Sequence, residues 1–331
     1  MSSLRPRLTL AINDSDQVRD VLSGRVPVAG IDLTPLVFEA EEIFFRFSRH
    51  REWEISELSM AKYTTLRARG EDWLIAIPVF PSRSFRHSAI YIRADGPRDD
   101  PGALAGARIG VPEWSVTATV YARALLQHQY GLALDAIQWI QGGTNEPGRV
   151  EGIELAALPG LRITPERERS LNAMLLAGDL DAIIAPHEPE GCADRSGRIV
   201  RLFSDLPSVE SAYHAETGIF PIMHVVVIRR DVHDTLPWLA ANLLTAFTAA
   251  KDNSVARALD TNVPRLPVPG APEHAAAAQA RFGGDLWPYG LEPNLVTLTA
   301  FLGYMAEQGL CEPGLQPAAL FAESTLEAFR V

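Results

Sequence analysis

Ala94-Asp95-Gly96-Pro97-Arg98-Asp99-Asp100-Pro101-Gly102 is the stretch on which the architecture turns. It is dominated by turn formers and charges, it follows a strand pattern at Ala89 to Arg93, and a new strand pattern starts at Arg108 to Val111. A domain crossing is expected there. Upstream, Leu8-Thr9-Leu10-Ala11-Ile12 reads as a strand, Asn13 to Asp16 as a helix start, and Asp32 to Phe38, Trp53 to Leu58 and Leu74 to Phe80 as further strands. Downstream, strands are expected at Ile137 to Ile140, Ala182 to Ala185, Ile199 to Phe203 and His224 to Ile228, with helical stretches between them. Strands alternating with helices imply α/β architecture with mostly parallel sheets. The remainder is helical, at Leu236 to Lys251, Ala271 to Phe282, Leu295 to Gln308 and Pro317 to Phe329. A tail that returns to the first domain gives one lobe from 1–95 and 217–331 and an inserted lobe from 96–216. Ligands sit in clefts of that kind, beyond strand C-termini and between domains.

The composition bounds the function. The chain has 331 residues, 47% of them hydrophobic, so it can bury large cores and is expected to form two domains. A formal charge of -11 gives no global attraction for a phosphate backbone, so nucleic acid is not an expected partner. No segment approaches the roughly 18 consecutive apolar residues of a membrane span. The apolar stretch Leu8 to Ile12 is too short for a signal h-region, and a cytoplasmic location is expected. Cys192 and Cys311 stand alone, without thiolate-metal spacing. The histidines do not have HExxH spacing, the acidic residues form no metal loop, and GxGxxG is absent. No cofactor is expected, although scattered metal ligands would leave no local signature. Ordinary exposed helices leave assembly into a homo-oligomer open.

Candidate site residues lie in loops that follow strands. Pro81-Ser82-Arg83-Ser84-Phe85-Arg86-His87 places two guanidinium groups and an imidazole in one such loop, an anion pocket or else a solvated basic loop. Glu113-Trp114-Ser115-Val116-Thr117-Ala118-Thr119 opens a helix, where Ser115, Thr117 and Thr119 either meet a ligand or cap the helix. Glu113 is a candidate acid or a charge favoured by the helix dipole. Ser59 at a strand end, Arg149 after Gly142-Gly143, and His187 are further candidate ligand contacts. His87 and His224 are the candidates for proton transfer. Trp287 and Tyr289 either wall the cleft or pack against the hinge, and packing is the expected role.

In these segments the sequence resembles the 4,5-dihydroxyphthalate decarboxylase family, whose members look like two-lobed type 2 periplasmic binding proteins. The resemblance runs over nearly the whole chain. Its most specific stretches are Ile77 to His87, Arg108 to Tyr130, Gly218 to His224 and Asp285 to Leu291. It implies non-oxidative loss of carbon dioxide from an aromatic dicarboxylate, with 4,5-dihydroxyphthalate giving 3,4-dihydroxybenzoate. The competing expectation is a solute-binding or sensor protein that closes on a small organic anion without transforming it. For catalysis, chemistry and position assign Arg83 and Arg86 to the carboxylate that stays, and Ser115, Thr117 and Thr119 to a second polar edge. His87 or His224, with Glu113 third, would protonate the ring.

Overall fold

The structure is a computed structural model that describes residues 5–153, 160–263 and 265–326. Its strands divide between two mixed sheets. The first has the order β2-β1-β3-β11-β4, built from β1 (Arg7–Ile12), β2 (Asp32–Val37), β3 (Ile55–Ser59), β4 (Leu74–Ile77) and β11 (His224–Arg229). The second has the order β10-β5-β9-β6-β7-β8. Its strands are β5 (Ile90–Arg93), β6 (Arg108–Val111), β7 (Gln138–Gln141), β8 (Ile163–Pro165), β9 (Ala182–Ile184) and β10 (Ile199–Arg201).

Parallel pairing holds for β1 with β2 and β3, and for β6 with β7 and β9. The strands next to the crossings run the other way. β11 is antiparallel to both β3 and β4, and β5 is antiparallel to β9 and β10. A strand entering from the opposite lobe needs no crossover helix and can pair antiparallel. Because β5 belongs to the second sheet, the chain first crosses within residues 78–89, ahead of the 95/96 boundary expected from composition. The turn-rich stretch from Ala94 joins two strands inside the second lobe.

Burial explains the strands. Leu74, Ala76 and Ile77 of β4 and Val225 to Ile228 of β11 are fully inaccessible, the near-continuous apolar run of a strand covered on both faces. One core cluster extends through both sheets, and a smaller one, including Tyr91, Leu171, Leu175 and Ile183, covers the outer face of the second.

The helical tail packs against the first sheet and also grips the second lobe. In α9 (Leu239–Leu259), Arg257 pairs with Asp16 and Asp20 at 3.0 Å. Phe321 bridges to Ala76, and Ala322 donates to the Ala76 carbonyl at 2.9 Å. The expected helix over Pro317 to Phe329 is present only as single turns at Pro317–Leu320 and Glu323–Thr325, and 327–331 lie outside the described residues. Beyond α11 (Leu295–Glu307), Gln308 is buried against α4 (Thr117–Ala124) of the second lobe. Its carbonyl accepts from Trp114 Nε1 at 2.9 Å, its Oε1 from Arg123 Nε at 2.8 Å, and its amide donates to the Val120 carbonyl at 3.0 Å. Arg123, fully buried, lies 3.6 Å over the Trp114 ring and donates to its carbonyl. Among the described residues no helix is long and apolar enough to cross a membrane.

Candidate active site

The ends of β3 and β6 and the start of β11 meet at the junction of the lobes. Ser59 ends β3 and caps α3 (Met60–Ala68), its Oγ accepting from Lys62 N, while His224 opens β11 directly opposite Ser59. From the second lobe, Thr117 Oγ1 lies 2.9 Å from Ser59 Oγ and accepts from Ala61 N at 3.0 Å. The lobes therefore touch through a pair of hydroxyls.

Behind His224 stands Glu57, a carboxylate in the middle of β3 with only 2% of its side chain exposed. Its Oε1 lies 2.5 Å from His224 Nδ1, and its Oε2 accepts from Asn13 N at 2.8 Å. A carboxylate on Nδ1 holds the proton there and leaves Nε2 as the working nitrogen. The imidazole, 21% exposed, meets the edge of Phe44 in α2 (Ala40–His50) at 4.8 Å. Glu57 was not among the expected site residues. Its signal was an acidic residue inside a buried strand, where such a group persists only with partners.

A polar seam joins the lobes above this floor. Glu113 accepts from Arg149 Nε at 2.7 Å, and burial raises its carboxyl above the ordinary range. Arg149 also approaches Glu41 of α2 at 3.5 Å, and His187 lies 3.6 Å from the same carboxylate. His187 first, with Arg149 assisting, pulls Glu41 down to about 2, and Glu41 in turn raises His187. Glu41 and Lys62 were not among the expected residues. The Gly142-Gly143 turn makes the Arg149 loop possible, because a Cβ at Gly143 would collide with the Glu146 carbonyl.

Several expected ligand contacts are otherwise engaged. Arg83 is buried between the Phe80 and Phe220 rings and donates to the Phe220 and Pro288 carbonyls, at 3.0 and 2.7 Å, and to Asn294 Oδ1. With both terminal nitrogens committed, it clamps the tail to the crossing loop and offers a ligand no fork. His87 is 1% exposed, enclosed by Phe203 and Tyr213, and pushed down to about 4 by burial. A neutral imidazole there is packing, not an acid for neutral solution. Thr119 donates to the Val116 and Glu113 carbonyls, as a residue closing a helix start does. Ser115 Oγ donates to Glu151 Oε1 at 2.5 Å. Trp287 and Tyr289 pack at the hinge, Trp287 Nε1 donating to the Phe80 carbonyl at 2.8 Å.

Arg86 differs from Arg83. It is half-buried, its Nε donates to Met223 Sδ at 2.9 Å, and among the described residues its terminal nitrogens meet no carboxylate. It acts electrostatically on His187 and Glu210, and burial pushes it down to about 10.

No family model matches the chain. It is 36% identical over 333 aligned positions, covering 100% of both chains, to 4,5-dihydroxyphthalate decarboxylase of Comamonas testosteroni. A second protein of that name, from Pseudomonas putida, is 38% identical over 210 positions, which are 62% of this chain and 81% of that one. Among solved structures, the periplasmic aliphatic sulphonate binding protein SsuA of Escherichia coli superposes with a TM-score of 0.56 at 13% identity, over 97% of this chain and 98% of that one. The desulfurization enzyme DSZB does so with a TM-score of 0.52 at 16% identity, over 97% and 98%. These likenesses establish the two-lobed periplasmic-binding-protein fold, which serves a binder in one case and an enzyme in the other, so function rests on the sequence relatives. With full-length similarity at that identity, the chain belongs to the 4,5-dihydroxyphthalate decarboxylase family.

Proposed function

We propose that this chain removes one carboxylate of 4,5-dihydroxyphthalate as carbon dioxide and releases 3,4-dihydroxybenzoate. The observation that carries the reading is Arg86, a half-buried guanidinium at the lobe crossing whose terminal nitrogens have no carboxylate partner among the described residues. A planar fork of that kind matches a carboxylate in a bidentate way. The names of the full-length relative and the shorter one support the substrate.

Each carboxylate of this substrate is para to a hydroxyl. Electron release from that oxygen lets the ring carbon bearing the departing carboxylate accept a proton. The keto intermediate then loses carbon dioxide as the ring becomes aromatic again. The ring is its own electron sink, so the route calls for no cofactor. Three tasks remain for the protein: anchoring the carboxylate that stays, stabilising the phenolate and delivering the proton.

Arg86 takes the first task. A cation held tightly on the departing group would stabilise the ground state and oppose its loss, so the guanidinium belongs on the other carboxylate. His224 delivers the proton from Nε2, with Glu57 fixing the imidazole through Nδ1. Glu113, raised by burial, is the second acid of the cleft. Ser59 and Thr117 hold the lobes together, and the Glu41, Arg149 and His187 seam closes the mouth.

The test is incubation of the purified protein with 4,5-dihydroxyphthalate, following 3,4-dihydroxybenzoate by chromatography and carbon dioxide by trapping. Stoichiometric appearance of both is expected. Saturable binding without turnover would make the chain a solute-binding or sensor protein instead.

A further inference from the structure

Only two of the 30 basic residues are lysines, Lys62 and Lys251. Arginine therefore carries almost every cationic task of this protein, including its surface ion pairs. Lys251 is buried and held by Asp252 at 2.6 Å and Asp285 at 3.2 Å, a structural role. Among the described residues Lys62 has no such tether. It sits in the first turn of α3, three residues after Ser59, on the part of the first lobe that touches Thr117 of the second. It is half-buried, and among the described residues its ammonium has no ion-pair partner within 4.0 Å. The charges that face it are Glu113 and Glu151 of the second lobe. Both are engaged elsewhere, Glu113 by Arg149 and Glu151 by Trp114 N and Ser115 Oγ.

An ammonium unpaired among the described residues, at the seam of a ligand cleft in a chain that writes nearly all its other cations as arginine, points to a task that suits a compact point charge with an adjustable proton. Resting on the decarboxylation reading, we propose that Lys62 is the catalytic partner of the ring oxygen para to the departing carboxylate, and holds that oxygen as a phenolate. The phenolic O–H bond breaks and its proton passes to the amine or to solvent, leaving an ammonium beside the oxygen anion. The oxygen electron pair moves into the ring as the ring carbon takes its proton from His224. The carbon–carbon bond then breaks, its electron pair returns through the ring to the oxygen, and carbon dioxide leaves. The phenolate recovers a proton, so one proton is consumed overall and no oxidant or reductant takes part. Burial lowers Lys62 from its ordinary range, which makes an anionic neighbour more welcome to it.

The scarcity of lysine makes the test direct. The probe is 3,4-dihydroxybenzoate, whose ultraviolet spectrum reports ionisation of the catechol. Bound to the wild type, it should ionise at least about one pH unit below its value in solution. Bound to Lys62→Met it should ionise as it does free, with Lys62→Arg restoring part of the shift. In turnover, Lys62→Met should lower kcat roughly 10²-fold or more while KM changes much less. An unchanged ionisation midpoint in Lys62→Met, or wild-type kcat, overturns the assignment. Should that variant fail to fold, wild-type protein carrying ε-13C-lysine gives two resonances. On saturation with the probe that of Lys62 should move and that of Lys251 should not, and an unmoved Lys62 resonance refutes the proposal. The spectra need no turnover, so a wild type that shifts the catechol without releasing carbon dioxide sinks the decarboxylase reading alone. A wild type that does not bind the probe sinks both.

Discussion

Replacing Arg86 by methionine should separate a ligand anchor from a structural cation, because the two roles give opposite signs. Arg86 is a half-buried guanidinium whose one hydrogen-bonded neighbour among the described residues is Met223 Sδ. A cation withdrawn from water without an anion is a cost to the ligand-free protein, and an apolar side chain of similar length removes that cost. Thermal stability of Arg86→Met should therefore equal or exceed that of the wild type. Binding should go the other way. Two charge-assisted bonds to a carboxylate contribute about 1.5–3 kcal/mol each. Taking the lower half of that range for a partly exposed site gives about 3–4 kcal/mol, a weakening of roughly 10²- to 10³-fold. Arg83→Met is the control. It leaves the Phe220 carbonyl and Asn294 Oδ1 without their donor, at about 1–3 kcal/mol for each buried acceptor, while the Pro288 carbonyl keeps Asn294 Nδ2 at 3.0 Å, so it should melt earlier. Calorimetric melting and titration with 3,4-dihydroxybenzoate measure both quantities. An Arg86→Met protein that melts several degrees lower while binding within threefold of wild type would refute the assignment.

The two histidines should part company in kinetics. His224→Gln is expected to lower kcat by about 10²- to 10⁴-fold, the usual contribution of a placed acid, whereas His87→Leu should keep kcat within a few fold and change mainly the melting temperature. Glu57→Gln should approach the His224→Gln value if orientation of the imidazole matters, read as kcat falling with KM nearly constant. The Glu41 and His187 pair should add a small pH-dependent stability. Glu41 is lowered, so its contribution is present above its ordinary 4.5 and lost as pH falls towards about 2. His187 is raised, so its contribution is complete below its ordinary 6.5 and lost as pH rises through its folded value. Both are present together between about pH 4.5 and 6.5. The pair is well exposed, so the effect should stay below about 1 kcal/mol, and Glu41→Gln should flatten denaturant stability between pH 5 and 8. A curve identical to wild type would show that the seam contributes nothing.

The fold was legible because burial is periodic and written locally. β4 and β11 are apolar runs whose identity needs no partner to be read, and the two crossings follow from the return of a helical tail. The first crossing was misplaced because turn residues mark a change of direction, and Ala94 to Gly102 changes direction inside one lobe. The site was less legible because neighbouring residues with the same chemistry end in different surroundings. Arg83 and Arg86 stand three apart in one loop, yet one is spent on carbonyls of the distant tail and the other on a single thioether. That difference depends on Phe220, Pro288 and Asn294, more than 130 positions away, and no local pattern carries it. His87 and His224 divide for the same reason: one is enclosed by Phe203 and Tyr213, the other is backed by Glu57 from an adjacent strand. Gln308 shows what the distant contacts add. By accepting from Trp114 and Arg123 while donating to Val120, it fixes the second lobe to the tail of the first, alongside the hydroxyl contact of Ser59 with Thr117. A protein that must open widely to exchange ligand gains little from a buried, hydrogen-bonded joint of that kind. An enzyme that must hold an acid and an anchor at fixed separation depends on it, because misplacement by about an ångström costs on the order of 10²-fold in rate.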